Sequence, residues 1–216
     1  MNYIPQLLHY KKLLTEYNKK INLTAIKDEE IIERHFKDSL ALLDFIQLEG
    51  KVTDIGTGAG LPGIPLAVVC PSAEFTLLDS LRKRTFFLEK VVKELGLPNV
   101  QILTARAEEF GHGTRRESYD FALARAVAPL DKLAEYALPL LARGGKFIAY
   151  KGKNIESELA ESTKAIEVLG GKIQNVHFYE ISGNIHCFAV IDKILKTPEE
   201  YPRKAHKMKK PIYQGD

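Results

Sequence analysis

The sequence predicts an α/β protein: a doubly wound sheet of five parallel strands, extended by a C-terminal antiparallel hairpin and preceded by N-terminal helices. Three observations predict it. From residue 51 onward, short β-rich runs alternate with helical patterns, as in a parallel sheet covered on both faces. The alternation breaks near the end, where Lys172–Ile181 and Ile185–Ile194 are joined only by Ser182-Gly183-Asn184, a hairpin turn. One strand also runs straight into alternate glycines, Asp54-Ile55-Gly56-Thr57-Gly58-Ala59-Gly60, a turn that belongs at the C-terminal edge of such a sheet, where ligands bind.

The elements follow in order. Leu7, Tyr10, Leu14, Tyr17 and Ile21 are spaced 3, 4, 3, 4, which predicts an amphipathic helix over 3–21. A second helix is predicted over 28–46, opened by Asp28, Glu29 and Glu30, which suit the positive end of a helix dipole. Strands are predicted at Val52–Ile55, Phe75–Leu78, Val100–Leu103, Phe121–Ala124 and Lys146–Tyr150, with helices at 82–95, 129–141 and 155–169. This divides the chain into a helical extension (1–50), a sheet domain (51–195) and a basic tail (196–216). The hairpin is not the order of a plain dinucleotide-binding fold.

The 216 residues, 45% hydrophobic and 27% charged, suffice for one compact domain and exclude collagenous, disordered and disulfide-stapled classes. Two cysteines, Cys70 and Cys187, make neither a metal cluster nor a disulfide framework, and both read as core residues; no metal is expected. The longest apolar run, Leu61 to Cys70, holds Pro62 and Pro65 and is too short for a bilayer. No signal peptide is visible. The expectation is a cytoplasmic protein with no membrane partner; the sequence leaves the oligomeric state open and favours a monomer. The net charge is +3, and the tail alone carries +3. Such a tail serves either as a solvated solubility tag or as a phosphate-binding arm.

The glycine loop lets the backbone turn tightly and approach a ligand. Gly58-x-Gly60-x-x-Gly63 formally fits the dinucleotide fingerprint. However, the turn begins earlier, at Gly56, and Pro62 and Pro65 crowd the helix start that a pyrophosphate would face. No Gly-Lys-Ser/Thr follows, so a P-loop is excluded. Asp54-x-Gly56-x-Gly58-x-Gly60 instead resembles the pattern of S-adenosylmethionine-dependent methyltransferases. Asp79, ending the second strand, can accept hydrogen bonds from both ribose hydroxyls, or can cap the helix opening near Arg82. The loop after the third strand, Ala105-Arg106-Ala107-Glu108-Glu109, is placed to frame an adenine; Glu108 reads equally as the acidic first turn of a short helix.

Longer segments carry a family resemblance. They are Asn22-Leu23-Thr24-Ala25-Ile26, Arg34-His35-Phe36-Lys37-Asp38-Ser39, the run from Asp54 to Ala67, and Leu78-Asp79-Ser80-Leu81-x-Lys83-Arg84. Further along stand Arg106-Ala107-Glu108, Ala124-Arg125-Ala126-Val127-Ala128, Lys151-Gly152 and Tyr201-Pro202-Arg203-Lys204. The chain resembles the small-subunit ribosomal RNA methyltransferase G family, also called glucose-inhibited division protein B. The resemblance implies an S-adenosylmethionine-dependent, Rossmann-like methyltransferase that modifies N7 of a guanine near position 527 of 16S rRNA in the 30S subunit. It also implies cofactor contacts at Gly56, Leu61, Ala107, Glu108 and Arg125, beside Asp54, Gly58, Gly60 and Asp79 from the loop pattern. The family's tail usually continues with a glycine and proline turn; here Ala205-His206-Lys207-Met208 stands instead.

Guanine N7 has a free lone pair and no proton to lose, so its methylation requires no general base and can rest on positioning. The Asn/Asp-Pro-Pro-Tyr motif of exocyclic-amine methyltransferases is missing after the fourth strand, where Ala124-Arg125-Ala126-Val127 stands. Arg125, at the ligand edge, reads as functional or as a surface ion pair. His35 and Asp38, three apart on one helical face, read as a structural pair, and the resemblance places them near the target guanine. Arg82, Lys83 and Arg84 open a helix, where cations are locally unfavourable, and with Lys151, Arg203 and Lys204 they are candidate rRNA phosphate contacts. Two other readings stand beside this one: a methyltransferase of the same fold acting on a protein or small molecule, and a non-catalytic RNA-binding relative.

Overall fold

A computed structural model describes residues 3–153, 155–210 and 212, with only the backbone at 209. The chain begins with α1 (Ile4–Asn18), shorter than the predicted 3–21. Asn18 ends it. Its Oδ1 accepts the N–H groups of Leu23 and Thr24 at 2.8 and 3.0 Å, and its Nδ2 donates to the Thr24 carbonyl, so the side chain organises a turn in place of the next helical bonds. The predicted helix over 28–46 is broken up. A 3₁₀ turn (Asp28–Glu30) leads into a wide π turn (Ile32–Lys37), the short α2 (Asp38–Leu40) and another 3₁₀ turn (Ala41–Asp44).

The sheet domain then runs β1 (Lys51–Ile55), α3 (Gly63–Val69), β2 (Glu74–Asp79), α4 (Arg82–Leu95), β3 (Val100–Thr104), α5 (Ala107–Phe110), β4 (Tyr119–Arg125), α6 (Leu130–Ala137), β5 (Leu141–Gly152), α7 (Ile155–Val168), β6 (Gly171–Ile181) and β7 (Asn184–Lys193). The helix expected over 129–141 stops at Ala137. A 3₁₀ turn holding Pro139, which has no N–H to donate, follows it, and β5 starts at Leu141. The strand order is β3-β2-β1-β4-β5-β7-β6, with β1 to β5 parallel and β7 antiparallel to both its neighbours. The hairpin turn is only two residues. Ser182 (φ +51°) and Gly183 (φ +76°) both lie in the left-handed region that a tight hairpin of right-twisted strands demands.

Alternate residues of each strand face opposite sides. Val52, Phe75, Leu77, Leu123, Ile148 and Tyr150 pack with α1, α3 and α4 on one face. Ala122, Ala124, Phe147 and Ala149 pack with α6 and α7 on the other. The N-terminal helices are built into the first core: Tyr10 is fully buried, stacks on Phe36 at 5.2 Å and donates its hydroxyl to the Ala59 carbonyl at 2.5 Å.

Candidate functional site

The glycine loop leaves β1 at Ile55 and enters α3 at Gly63. Asp54, fully buried, holds it: Oδ2 accepts the Thr57 hydroxyl at 2.6 Å and the Gly63 N–H at 2.9 Å. Asp54 Oδ1 is buried with no partner among the described residues. Burial pushes this carboxyl up to about 6, against the pull of its two hydrogen bonds.

The loop glycines are not equivalent. A Cβ on Gly56 would lie 2.7 Å from Val127 Cγ2, and one on Gly60 would lie 2.7 Å from both Ile64 and Leu88. At Gly58 (φ +61°) the nearest atom would be 3.9 Å away. Gly60 therefore serves packing, while Gly58 faces open space. Leu61 directs its side chain into the core and its N–H to the Thr57 carbonyl.

Asp79 closes the loop from β2. Its Oδ2 accepts the Gly58 N–H at 3.0 Å, and its Oδ1 accepts the Leu81 N–H at 2.8 Å, capping the approach to α4. Arg84 Nη1 lies 3.3 Å from Oδ2. A cleft beside this carboxylate is lined by Ile55, Gly56, Leu78, Asp79, Ala105, Ala107, Glu108, Val127 and Tyr136. Tyr136, on α6, carried no signal in sequence, and Val127 appeared only within a longer matching segment, because the fold alone brings them beside β1. A wider hollow at the opposite edge, where β1, β2 and β3 begin, contains none of these groups.

Arg125, at the end of β4, gathers the other predicted pair. Its Nη1 donates to Asp38 Oδ2 at 2.6 Å and its Nη2 to His35 Nδ1 at 3.2 Å. His35 and Asp38 thus meet through Arg125 rather than as a pair of their own; the π turn carries His35 and Asp38 opens α2. A guanidinium only donates, so Nδ1 must be the acceptor and Nε2 must carry the proton, which goes to Thr24 Oγ1 at 2.7 Å. Burial, with Arg125 beside it, holds the imidazole down to about 4, hence neutral at pH 7. Asp38 Oδ1 accepts the Tyr179 hydroxyl at 2.7 Å, with His186 Nδ1 at 3.4 Å. These two hairpin residues were also invisible in sequence, 141 residues or more from their partner.

The predicted phosphate contacts divide. Arg82, Lys83 and Lys204 are exposed, and none of them forms an ion pair among the described residues. Arg84, half-buried, turns back to Asp79. Lys151 is a correction: only 12% exposed, it donates to Glu158 at 2.6 Å and to the Ala128 carbonyl at 2.9 Å, joining β5 to α7 and the start of α6. Arg203 is another, locked onto buried Glu135 at 2.8 Å. Burial raises the thiols of Cys70 and Cys187, the latter to about 11, which keeps both unreactive near pH 7. Among the described residues no group of three His, Cys, Asp or Glu is placed to hold a metal, and no helix is long and apolar enough to cross a membrane.

A family model described as rRNA small subunit methyltransferase G matches residues 3–186. The ribosomal RNA small subunit methyltransferase G of Alkaliphilus metalliredigens is 49% identical over 218 residues, covering 98% of this chain and 91% of the relative. That of Clostridium botulinum is 46% identical over 211 residues, covering 95% and 88%. Among solved structures, M. jannaschii TYW2 in complex with AdoMet aligns with a TM-score of 0.61 at 19% identity, over 81% of this chain and 80% of that one. A SAM-dependent methyltransferase from Aquifex aeolicus aligns at 0.60 and 18% identity, over 84% and 98%. At these identities the structures show the fold: the methyltransferase form of the doubly wound sheet.

Proposed function

The chain belongs to the ribosomal RNA small subunit methyltransferase G family, and from that premise we propose that it transfers the methyl group of S-adenosylmethionine to N7 of a guanine near position 527 of 16S rRNA. The observation that carries the reading is the loop and its cleft: a glycine with open space before it, a buried carboxylate oxygen without a partner among the described residues, and a cleft walled from β2 to α6. These residues fit the cofactor. Asp54 Oδ1 supplies an acceptor for its ammonium, directly or through water. Asp79 takes the ribose, and Ala107, Glu108 and Tyr136 enclose the base. Bound there, the cofactor supplies an activated sulfonium methyl.

The protein's task is then alignment. N7 attacks without losing a proton, so no side chain need act as a base, and the rate gain comes from holding the guanine in line. Arg125 is suited to that. Of its five N–H donors the structure commits two, to Asp38 and His35, which leaves three for the substrate. We assign residues 51–195 to cofactor binding and transfer, with 1–50 completing the acceptor side through His35 and Asp38.

Asp54 makes the binding pH-dependent. A carboxyl held up to about 6 is mostly protonated at pH 5, and a bound ammonium favours its ionised form. Affinity for S-adenosylhomocysteine is therefore expected to tighten from pH 5 to pH 7 and then level off, and Asp54→Asn to lose that slope. Calorimetric titration across the range checks it; a wild-type profile flat between pH 5 and 7 contradicts the assignment of Asp54.

The rRNA surface lies on α4 and α1. The two helices run antiparallel, with Gln6 on Leu95 at one end and Tyr17 against Phe87 at the other. Exposed Lys19 and Lys20 therefore lie toward the α4 end that carries Arg82 and Lys83. Arg82→Ala and Lys83→Ala are each expected to flatten the slope of log affinity against log salt by about 0.7–0.9. Lys151→Ala should leave that slope unchanged and cost stability, because it removes the ion pair to Glu158 and the bond to the Ala128 carbonyl. RNA binding at several salt concentrations, with thermal melting, separates the two. The activity itself is tested by labelled methyl transfer to 30S subunits lacking the modification. No label in 16S rRNA, with transfer to a protein or small molecule, would favour the other substrate class.

A further inference from the structure

We propose that the start of the C-terminal tail, residues 197–203, is a strap that sets the spacing of the adenine end of the cofactor cleft, with Arg203 and Glu135 as its positioning residues. The inference rests on the cofactor reading above. It reverses the sequence expectation that this segment is a phosphate-binding arm or a solubility tag.

The strap touches α6 and the residues that directly follow α5, the two helices that wall the cleft. On α6, Glu135 is 1% exposed and is met three times by Arg203. The backbone N–H and Nε donate to Oε1 at 2.6 and 2.9 Å, and Nη2 donates to Oε2 at 2.8 Å. The next residue on that helix is Tyr136, which lines the cleft. Just past α5, the Pro202 ring occupies the space beside Gly111, where a Cβ would come within 2.8 Å of it, and the Pro202 carbonyl lies 2.6 Å from His112 Nε2. Gly111 and His112 directly follow the helix that carries Ala107 and Glu108.

Arg116 pins the remainder. Its Nη1 donates to the carbonyls of Gly111 and Tyr201 at 3.0 and 2.7 Å, and its Nη2 to those of Thr197 and Pro198 at 2.8 and 3.1 Å. A guanidinium with four carbonyl acceptors fixes the strap to the α5–β4 loop, so neither wall can shift without pulling on the other. A buried carboxylate at Glu135 is tolerable only while Arg203 stays on it. Loss of Arg203 therefore drives α6 to move toward solvent, carrying Tyr136 away from Glu108.

The test is calorimetric titration of S-adenosylhomocysteine, and of adenosine, into the full-length wild type, Arg203→Ala, Arg203→Lys and Glu135→Gln. Circular dichroism at the assay temperature establishes that each is folded. Arg203→Ala is expected to weaken both ligands about tenfold, within the range seen for residues that act at one remove from a site. KM for S-adenosylmethionine should rise while kcat at saturation holds, and Arg203→Lys should recover part of the loss. Glu135→Gln keeps the shape of the side chain without its charge and serves if Arg203→Ala does not fold; it is expected to weaken both ligands too. Wild-type affinity in folded Arg203→Ala or Glu135→Gln overturns the strap. A flattened salt slope for RNA with unchanged cofactor affinity overturns it in favour of a phosphate arm. A wild type that binds neither ligand overturns the cofactor reading itself, and the strap with it.

Discussion

Gly58→Val is expected to show no detectable S-adenosylmethionine binding by calorimetry while remaining folded. Two effects act together. The valine side chain enters the open space before the loop, where the nearest protein atom to a Cβ is 3.9 Å away, so nothing in the protein opposes it and the ligand does. The backbone at φ +61° also disfavours a β-branched residue, at about 1–3 kcal/mol. In a domain of this size each kcal/mol lowers Tm by roughly 2–4 °C. Gly60→Val is the contrast: its Cβ would press on Ile64 and Leu88 at 2.7 Å, so it should lose fold and binding together. A folded Gly58→Val that binds with wild-type affinity would remove the loop from the cofactor site.

Arg125→Ala is expected to be the most destabilising single change at the acceptor side. It strips a buried carboxylate of its 2.6 Å partner, an effect of about 3–5 kcal/mol when one member of a buried pair is removed. Arg125→Lys should recover little, since a single ammonium cannot reach both Asp38 and His35 as the planar fork does. The imidazole supplies an independent readout. In the wild type its folded-state pKa lies below the ordinary value, so the neutral form is favoured. That contribution is complete above about pH 6.5 and is lost as the pH falls toward 4. Removing the neighbouring cation lets the pKa climb back, which NMR titration of His35 checks. A His35 pKa unchanged in Arg125→Ala would mean that the guanidinium does not act on the ring.

What could be read beforehand follows from how local the physics is. The glycine loop, the alternating strands and the Ser182-Gly183 hairpin were legible because tight turns and two-residue periodicity are written in adjacent residues. Helix ends were less so: Asn18 stops α1 by bonding forward to Thr24, and Pro139 trims α6, each a single side chain against a regular pattern. The broken helix at 28–44 has no local signature at all. At the site, charge position misled where the fold supplied a partner. Lys151 meets Glu158, only 7 residues on but across the turn from β5 into α7, and Arg203 meets Glu135 from 68 residues away, so two cations assigned to RNA serve the fold. Tyr179 and His186 were missed for the same reason.

The reversed strand β7 has a consequence for synthesis on the ribosome. β5 emerges complete at Gly152, yet the strand that pairs with its outer edge begins only at Asn184. Through the intervening stretch the nascent chain presents Phe147, Ile148, Ala149 and Tyr150 along an unpaired edge, the template on which strands from other chains add. The two-residue turn shortens that interval, because β7 folds back from β6 at once and slots between it and β5. Slow translation across 153–183 thus lengthens exposure of the edge. Faster passage through the hairpin should raise soluble yield without altering a single contact in the finished protein.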